Sequence, residues 1–523
     1  MNQLSRVRDR QHFRQATPAE NTPRFMWAGP WTAPAGIGLL AFVVAVVGSW
    51  VPSFWDDEIA TISAAGRSPA ELLELLRSVD AVHGFYYFFM HAWTTVFGFS
   101  EVAMRMPSAL AVGLACAGTV LIGRKLGSES VGIASGLVLA VLPRMVWAGT
   151  EARQSAFTAL LAVALTLLLV RAWESNRAID WVLYGVCAVA GVCMFMFFAL
   201  AVASHAVAAI ILRKRPLAVL ITCAAAGAAV LPFLLFAMTQ KAQVEWIQNR
   251  SLLQNLTIAA VKQFFYGDDR PTGNLPPEWI LGFILVLGIT EVLLVVWGLW
   301  SVRRIAAYRP LVVLGLVGVA LPMLGLLLVS VVAQPVYVAR YLTFTAPLFA
   351  LLVGLGLDRL RPGSLSGRLD PGGRLSTGRP WLLATAAGLV VLSSLVPQLT
   401  IKSLVNEPAD TERQMAEFIA AQTPGPAGAV YAYPELRDMA LAYPEDFRLV
   451  TDLSLAESPA DSGTLWGKNA AVTAEQLRGR GDVWFVGYGG GAPNDLSAFE
   501  SAGCRQTRNL VFQRMALVSY TCP

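Results

Sequence analysis

Three carboxylates stand side by side early in the sequence, at Asp56, Asp57 and Glu58. Adjacent carboxylates repel one another unless a cation, a proton or a basic substrate offsets their charge. Such a cluster can act as a general base or hold a divalent ion, which makes a metal site at Asp57 and Glu58 one interpretation. The alternative is an ordinary solvated acidic loop in which Trp55 anchors the chain at an interface.

Other polar side chains could complete a site with these carboxylates. His83 precedes an aromatic run, although a lone histidine at a helix start is more often a cap or a surface residue than a ligand. Arginine binds phosphate oxygens through paired, charge-assisted hydrogen bonds, and several basic residues lie near polar loops. For Glu151 and Arg153 the alternative is a local ion pair, which would contribute little stability. The candidates are His83, Tyr86, Tyr87, Arg144, Glu151, Arg153, Lys262, Arg340 and Tyr341.

The composition is that of a membrane protein. Hydrophobic residues make up 55% of the chain and charged residues 14%, against roughly 45–50% and about 25% in soluble domains. The formal net charge is +5, but the basic residues are dispersed among short loops, which argues against a nucleic-acid partner. The glycine-rich stretch 487–491 lacks the strand–glycine–helix order of a dinucleotide site and is predicted to form a turn.

Eleven apolar segments approach the roughly 20 residues that cross a bilayer. Lys and Arg recur in alternate loops, so the positive-inside rule places the N-terminus in the cytoplasm and the segments 54–104, 144–153 and 239–278 outside. A further apolar stretch, 84–98, would invert this pattern if it crossed, and is therefore predicted to be an interfacial helix on the outer surface. The predicted spans are 36–53, 105–123, 130–148, 154–171, 181–197, 198–212, 217–238, 279–300, 311–333, 341–357 and 381–398.

The fold class predicted from this pattern is an α-helical polytopic membrane protein with a C-terminal soluble α/β domain on the outer face. Its three parts are a polar cytoplasmic tail (1–35), a transmembrane domain (36–400) and an extracytoplasmic domain (401–523). Cys504 and Cys522 flank a predicted terminal hairpin. They could form a disulfide in an oxidising compartment, although the sequence does not show whether their backbones approach closely enough.

Together these motifs resemble the GT-C membrane glycosyltransferases. The nearest branch is the family 39-like one, which includes protein O-mannosyltransferases and the aminoarabinose transferase of lipid A. The resemblance covers about residues 36–400 and is strongest across 55–160. Members commonly have His-Pro-Pro-Leu-Tyr-Tyr where this chain has His83-Gly84-Phe85-Tyr86-Tyr87, so the role of His83 stays open. The matching motifs are Trp55–Glu58, His83–Tyr87, Arg105–Leu110, Glu151–Arg153 and Ala339–Tyr341.

The resemblance implies an inverting transfer of a sugar, mannose or another pentose or hexose, from a polyprenyl-phosphate donor to a cell-envelope acceptor at the outer face. The family's base falls on Asp57 or Glu58, with Asp56 as the nearest substitute. A sugar phosphate already has a good leaving group, so the enzyme needs a base and cations for the departing phosphate. The phosphate-binding candidates are Arg153, Arg340, Lys262 and Tyr341, and the substrate-binding candidates are His83, Tyr86, Tyr87 and Glu151.

Two other functional classes stay open. A transporter or flippase of lipid-linked glycans needs polar residues inside its spans, where Glu291 and His205 are the main examples. A non-catalytic assembly factor would use residues 401–523 to bind a partner. The sequence does not specify the sugar, the choice among lipid, glycan and protein acceptors, or a requirement for a divalent metal ion.

Overall fold

The computed structural model describes residues 29–267, 276–361, 380–403, 411–489, 496–512 and 515–523. Most of the predicted tail 1–35, part of the predicted outer segment 239–278 and the end of the glycine-rich stretch 487–491 lie outside the described residues.

Apolar helices dominate the chain up to residue 401, and the chain is a multi-pass membrane protein. Within the described residues, seven helices are long and apolar enough to cross a membrane, and α6 with α7, bent by 63°, gives an eighth. The shorter apolar helices α1, α9 and α10 coincide with the remaining predicted spans. The helices are α1 (Thr32–Val46), α2 (Asp56–Ala65), α3 (Pro69–Ser78), α4 (Gly84–Phe97), α5 (Glu101–Leu126), α6 (Glu129–Val141), α7 (Pro143–Gly149), α8 (Ser155–Ser175), α9 (Ala178–Met194), α10 (Ala199–Leu212), α11 (Pro216–Met238), α12 (Leu252–Lys262), α13 (Glu278–Val302), α14 (Arg309–Val332), α15 (Ala346–Arg359) and α16 (Pro380–Ile401).

The helices differ in how they meet the surrounding membrane. On α11 and α13 apolar side chains such as Leu217 and Leu293 are 70% and 63% exposed. On α15 every side chain is buried. Because an apolar side chain gains nothing from facing water, the exposed sides of α11 and α13 are the surfaces that lipid covers. Helix α15 is therefore at the centre of the bundle.

Small residues allow the central helices to approach closely, as is common in membrane bundles. A Cβ atom added to Gly356 of α15 would lie 2.1 Å from the carbonyl oxygen of Leu294 on α13. Gly298, one turn further along α13, would likewise meet the backbone of Gly356 at 2.9 Å. The close crossing of α13 and α15 therefore depends on glycine at positions 298 and 356.

Local signals in the sequence explain where the helices around the site begin and end. The side chain of Ser100 accepts a hydrogen bond from the backbone N–H of Ala103 and caps α5. Pro143 stands at the first position of α7, and Leu142 before it is extended, as residues that precede proline tend to be. This break between α6 and α7 lets the chain turn into segment 150–154, which carries Glu151 and Arg153.

The C-terminal residues form a small α/β domain, as predicted. Its five-stranded sheet has the order β2-β1-β5-β7-β6, with β1 parallel to β2 and β5, and with β6 and β7 as the antiparallel terminal hairpin. Cys504 and Cys522, at the two ends of this hairpin, form a disulfide with a Cα–Cα distance of 4.1 Å. The elements are α17 (Glu412–Gln422), β1 (Ala427–Tyr431), α18 (Asp438–Ala442), β2 (Val450–Asp452), β3 (Leu455–Glu457), β4 (Lys468–Asn469), α19 (Ala474–Leu477), β5 (Gly481–Tyr488), α20 (Ser497–Ser501), β6 (Arg505–Val511) and β7 (Met515–Cys522).

The α13–α15 crossing yields a stability prediction. We expect Gly356→Ala to destabilise the protein by about 1–3 kcal/mol, because the added methyl group must push the two helices apart. The measurement is the midpoint of thermal unfolding of purified protein in detergent. Gly282→Ala on α13 is the matched control, since its Cβ would meet nothing within 4 Å. Equal midpoints for the two variants would contradict the tight crossing.

Candidate active site at one end of the membrane helices

A buried ion pair fixes the position of helix α2. Its first turn contains Asp56, Asp57 and Glu58, where negative charge is favoured by the unpaired N–H groups of the helix start. Glu58 is fully buried, and its two carboxylate oxygens accept hydrogen bonds from Nε and Nη2 of Arg105 at 2.8 and 2.5 Å. The backbone N–H of Ala152 donates to the same carboxylate at 2.7 Å. Glu58 therefore joins α2, α5 and segment 150–154.

Arg105 also organises the chain that precedes α2. Its Nη1 donates to the carbonyl oxygens of Ser49 and Pro52 at 2.5 and 2.9 Å, and its Nη2 donates to that of Ser53 at 2.9 Å. These hydrogen bonds, with the two to Glu58, use all three guanidinium nitrogens. An ion pair at this depth is favourable only when the remaining donors are satisfied in this way.

Asp57 lines a cavity, whereas Glu58 does not. Adjacent residues on a helix differ by about 100° in direction, and here Glu58 faces Arg105 while Asp57 faces the cavity. The Asp57 carboxylate lies 3.0 Å from Nη2 of Arg340 and 3.9 Å from Nε of Arg153. Its side chain is 30% exposed, whereas those of the two arginines are 7% and 9% exposed. Of these three charged groups, the Asp57 carboxylate is thus the most accessible.

Aromatic rings hold Arg340 in place. The centre of its guanidinium group lies 5.0 Å from the ring of Trp55, 5.5 Å from Trp246 and 5.8 Å from Tyr341. Contacts of this kind with ring faces are attractive to a cation. Tyr341 in turn packs on Phe195 and Phe197 at 5.1 and 5.5 Å.

Arg153 connects Asp57 with His83. Its Nη1 donates to the backbone carbonyl of Asp57 at 2.9 Å, and its Nη2 lies 3.1 Å from Nε2 of His83. Burial lowers the pKa of His83 well below its ordinary value, and the charges of Arg153 and Arg340 lower it further. Because Arg153 can only donate, Nε2 accepts and the neutral ring carries its proton on Nδ1. Nδ1 lies 3.0 Å from the side-chain nitrogen of Gln154, so a proton on Nδ1 requires this amide to be turned with its oxygen, which otherwise has no partner among the described residues, toward the ring.

Asp80 is a site residue that the sequence reasoning missed. It lines the same cavity, it accepts a hydrogen bond from the Tyr87 hydroxyl at 2.7 Å, and burial raises its pKa. Its backbone has a φ of 58°, a strained conformation for a residue other than glycine, of the kind that clusters at functional sites. The available signal was a carboxylate three residues before His83 in a loop already assigned to the outer face.

Glu151 is the second buried carboxyl group on the cavity wall. Burial raises its pKa to about 7, while the charge of Arg340 and the Ser155 hydroxyl oppose this rise. The group therefore changes its charge near neutral pH.

The cavity that these residues line has a volume of about 670 Å³ and two chemically different ends. Asp56 joins the charged side chains named above at one end. Lys241 also lines the cavity, beside the end of α14, where the side chain of Gln334 donates to its backbone carbonyl at 3.5 Å. The other end is apolar and lies between the α9–α10 junction and the ends of α11 and α14, where Met238 and Val329 are exposed on the surface that lipid covers. Its apolar lining residues include Phe195, Met196, Phe197, Met238, Val329 and Ala333.

The C-terminal domain closes one side of this cavity through Leu465 and Trp466. The side chain of Ser63 on α2 donates to the carbonyl of Leu465 at 2.6 Å, and Arg67 donates to that of Thr464. This loop is therefore bound to the same helix that carries Asp57.

Several predicted site residues lie elsewhere. Glu58 is engaged by Arg105, and Tyr86 is buried against Phe157 behind the cavity wall. Tyr87 does not line the cavity and contacts it through Asp80, Arg153 and the ring of His83. Lys262 is buried at the end of α12 and is not among the residues that line the cavity.

Arg144 is also outside the site, because it donates to the carbonyls of Gln263, Lys262 and Tyr266 after α12. It therefore binds backbone rather than a substrate anion.

A divalent ion does not fit Asp57 and Glu58 as a pair of ligands. The Glu58 oxygens are occupied by Arg105 and Ala152, and Asp57 faces Arg340. Asp56 instead comes near Glu412 and Asp438 of the C-terminal domain, with one carboxylate oxygen of each within 4.8 Å of the others. We assign no metal ion to these three carboxylates.

Comparisons with known proteins agree with this architecture. Residues 84–247 match the family described as dolichyl-phosphate-mannose-protein mannosyltransferase. The chain is similar to ArnT from Cupriavidus metallidurans bound to undecaprenyl phosphate, with 12% identity, a TM-score of 0.52, and coverage of 93% of this chain and 97% of that one. It is also similar to the oligosaccharyltransferase AglB from Archaeoglobus fulgidus in complex with an inhibitory peptide and a dolichol-phosphate, with 11% identity, a TM-score of 0.50, and coverage of 87% and 69%. No curated protein matches the chain.

The likeness to these structures establishes the fold. The protein has the GT-C fold of membrane glycosyltransferases, and its resemblance to the family 39-like branch is confirmed.

The Glu58–Arg105 pair makes a testable prediction. We expect Arg105→Met to destabilise the protein by about 3–5 kcal/mol, because it leaves the buried Glu58 carboxylate without its cation. Arg105→Lys should restore little of this loss, because an ammonium group cannot reproduce the paired hydrogen bonds. Thermal unfolding in detergent measures both effects.

The control for this experiment is Arg77→Met, which removes an ion pair whose arginine side chain is 73% exposed. Its effect should stay below about 1 kcal/mol. An Arg105→Met protein as stable as this control would show that the buried pair does not hold α2.

Proposed function

We propose that the protein is an inverting glycosyltransferase that moves a sugar from a polyprenyl-phosphate donor to a hydroxyl group of a cell-envelope acceptor. The observation that carries the proposal is the accessible Asp57 carboxylate, 3.0 Å from Arg340, in a cavity whose far end is apolar and adjoins the lipid-facing surface. A carboxylate and a cation at a membrane surface suit a substrate that is polar at one end and a long hydrocarbon at the other.

In the proposed reaction Asp57 accepts the proton of the acceptor hydroxyl as its oxygen attacks the anomeric carbon. The bond between that carbon and the phosphate oxygen breaks, and the electron pair leaves with the polyprenyl phosphate. A single displacement of this kind inverts the anomeric configuration. Charge therefore moves from the acceptor side to the phosphate, where positioned cations stabilise it.

Arg340 and Lys241 are the proposed partners of the leaving phosphate. Arg340 is held by its aromatic neighbours with its charge facing the cavity, so little reorganisation is needed when phosphate charge develops. Lys241 lines the same cavity, in the segment that follows α11. Arg153 is assigned a positioning role, because it holds the Asp57 backbone and the His83 ring.

The polyprenyl tail is proposed to occupy the apolar end of the cavity and to continue along the exposed sides of α11 and α14. Met238 and Val329 are 61% and 43% exposed there, and apolar surface of this kind is covered by lipid or by a lipid tail. The positive-inside pattern of the sequence supports an outer-face position for this end of the bundle. Mannose is one sugar that agrees with the matching family description.

A transporter of lipid-linked glycans is the second candidate function. It requires polar groups along a path across the membrane. The charged residues that line the cavity around Asp57 instead lie together at one end of the bundle. This distribution favours chemistry at one surface over passage through the protein.

Replacing the proposed base tests the function directly. We expect Asp57→Asn to lower kcat by about 10²–10⁴-fold, because the acceptor proton loses its recipient. The measurement is transfer of radiolabelled sugar from polyprenyl-phosphate donors to acceptor by purified protein in detergent, where no compartments exist and transport cannot contribute.

The control variant is Asp482→Asn, which alters an exposed carboxylate on β5 of the C-terminal domain. Both variants should keep the thermal midpoint of the unaltered protein. Full activity of Asp57→Asn would refute the assigned base, and absence of transfer with every donor in the unaltered protein would refute the proposed activity.

Glu151 predicts a pH dependence of donor binding. A sugar phosphodiester keeps one negative charge between pH 6 and pH 8, whereas Glu151, with a pKa of about 7, becomes negative as the pH rises through this range. Repulsion should then raise the donor KM about fivefold at pH 8 relative to pH 6. Glu151→Gln should abolish this change, and a variant that retains the pH dependence of the unaltered protein would exclude Glu151 as its source.

A further inference from the structure

A second cavity lies at the other end of the membrane helices. It is open to the surface, has a volume of about 490 Å³ and is lined by the last turns of α5 and α8, the turn between α10 and α11, and the start of α14. Helix α5 runs 26 residues from the candidate active site to this cavity, which is about 39 Å at 1.5 Å per residue. The two cavities are therefore separate sites. The polar and aromatic lining residues are Lys125, Trp173, Glu174, Arg213, Lys214 and Arg215.

The charge of this second cavity is strongly positive. Among the described residues that line it, Glu174 is the single carboxylate, and it lies 2.7 Å from Lys125, which offsets its charge. The other three cations are consecutive in sequence, at 213–215. Like charges this close repel one another, so an anion in the cavity would relieve an unfavourable interaction. Around it, Arg171 pairs with Asp180 at 2.6 Å and Arg309 donates to the carbonyl of Ile211 at 3.1 Å.

The turn that carries these cations is strained. Arg213 and Arg215 have φ values of 54° and 47°, in the left-handed region that side chains other than glycine disfavour. The turn is held on Trp173, whose carbonyl accepts from Nε of Arg215 at 3.2 Å and whose ring lies 5.4 Å from Nζ of Lys214. Strained backbone that persists in a fixed structure is a marker of function.

The surroundings of the turn place it at the level of lipid headgroups. Ile210 and Leu217, which flank it on α10 and α11, are 51% and 70% exposed, and exposed apolar side chains at the end of a membrane helix face lipid tails. Arginine binds phosphate oxygens in pairs, and basic pockets between membrane helices bind anionic headgroups.

We propose that this cavity binds the phosphate group of an anionic membrane lipid through Arg213, Lys214 and Arg215. The positive-inside rule explains basic residues in this turn. It does not explain their arrangement around a cavity, two arginines in a strained conformation, or the attachment of the turn to Trp173. The proposed lipid site is independent of the proposed sugar transfer.

The test measures lipid binding to purified, delipidated full-length protein by native mass spectrometry. The probes are phosphatidylglycerol, phosphatidylcholine and inorganic phosphate. We expect phosphatidylglycerol to bind in preference to phosphatidylcholine, and Arg213→Gln/Arg215→Gln to weaken phosphatidylglycerol binding about thirtyfold, because two basic contacts near the membrane surface are lost.

The matched control is Arg303→Gln/Arg304→Gln, which removes two positive charges from the turn after α13, at the same end of the bundle but outside the cavity. It should bind phosphatidylglycerol like the unaltered protein. Equal weakening in both double variants would overturn the proposal in favour of general surface charge. Unchanged binding in Arg213→Gln/Arg215→Gln would overturn it as well, and inorganic phosphate bound without any lipid preference would overturn the lipid as its ligand.

Discussion

The buried pair of Glu58 and Arg105 is the interaction on which the arrangement of the site depends. Arg105 binds the chain before α2, Glu58 anchors the first turn of α2, and Ala152 attaches the segment that carries Glu151 and Arg153. Each of these hydrogen bonds would be costly to leave unmade in a buried environment. They hold Asp57 and Arg153 in the site, where Arg153 and Arg340 each lie within 4 Å of the Asp57 carboxylate.

The three arginines at and around the site have different partners and different roles. Arg105 is satisfied by backbone and by Glu58, Arg153 is held between Asp57 and His83, and Arg340 rests among aromatic rings with its charge toward the cavity. A neutral His83 can accept from Arg153 without adding repulsion. The guanidinium groups of Arg153 and Arg340 are thus held in fixed positions with little of their surface exposed. This arrangement suits a phosphate that enters from the lipid side.

Sequence reasoning recovered the membrane helices and the region of the site because apolar length and charge alternation are strong local signals. It identified Asp57, Arg153 and Arg340 as candidates, and these meet in the structure. It could not separate Asp57 from Glu58, because that choice depends on where Arg105, 47 positions later, reaches α2. The sequence also could not show that Lys262 lies away from the cavity, since its burial follows from how α12 packs. The outward orientation of this end stays a prediction.

The attachment of the C-terminal domain has a mechanical consequence. Arg413 of this domain donates to the carbonyl of Pro52 at 3.3 Å, the same carbonyl that Arg105 holds at 2.9 Å, and Tyr443 contacts the backbone of Phe54 at 3.0 Å. The chain between α1 and α2 is therefore in contact with both the membrane bundle and the C-terminal domain. A displacement of that domain would therefore move the stretch of chain that ends at Asp57. The position of the Asp57 carboxylate is in this way coupled to the position of the domain.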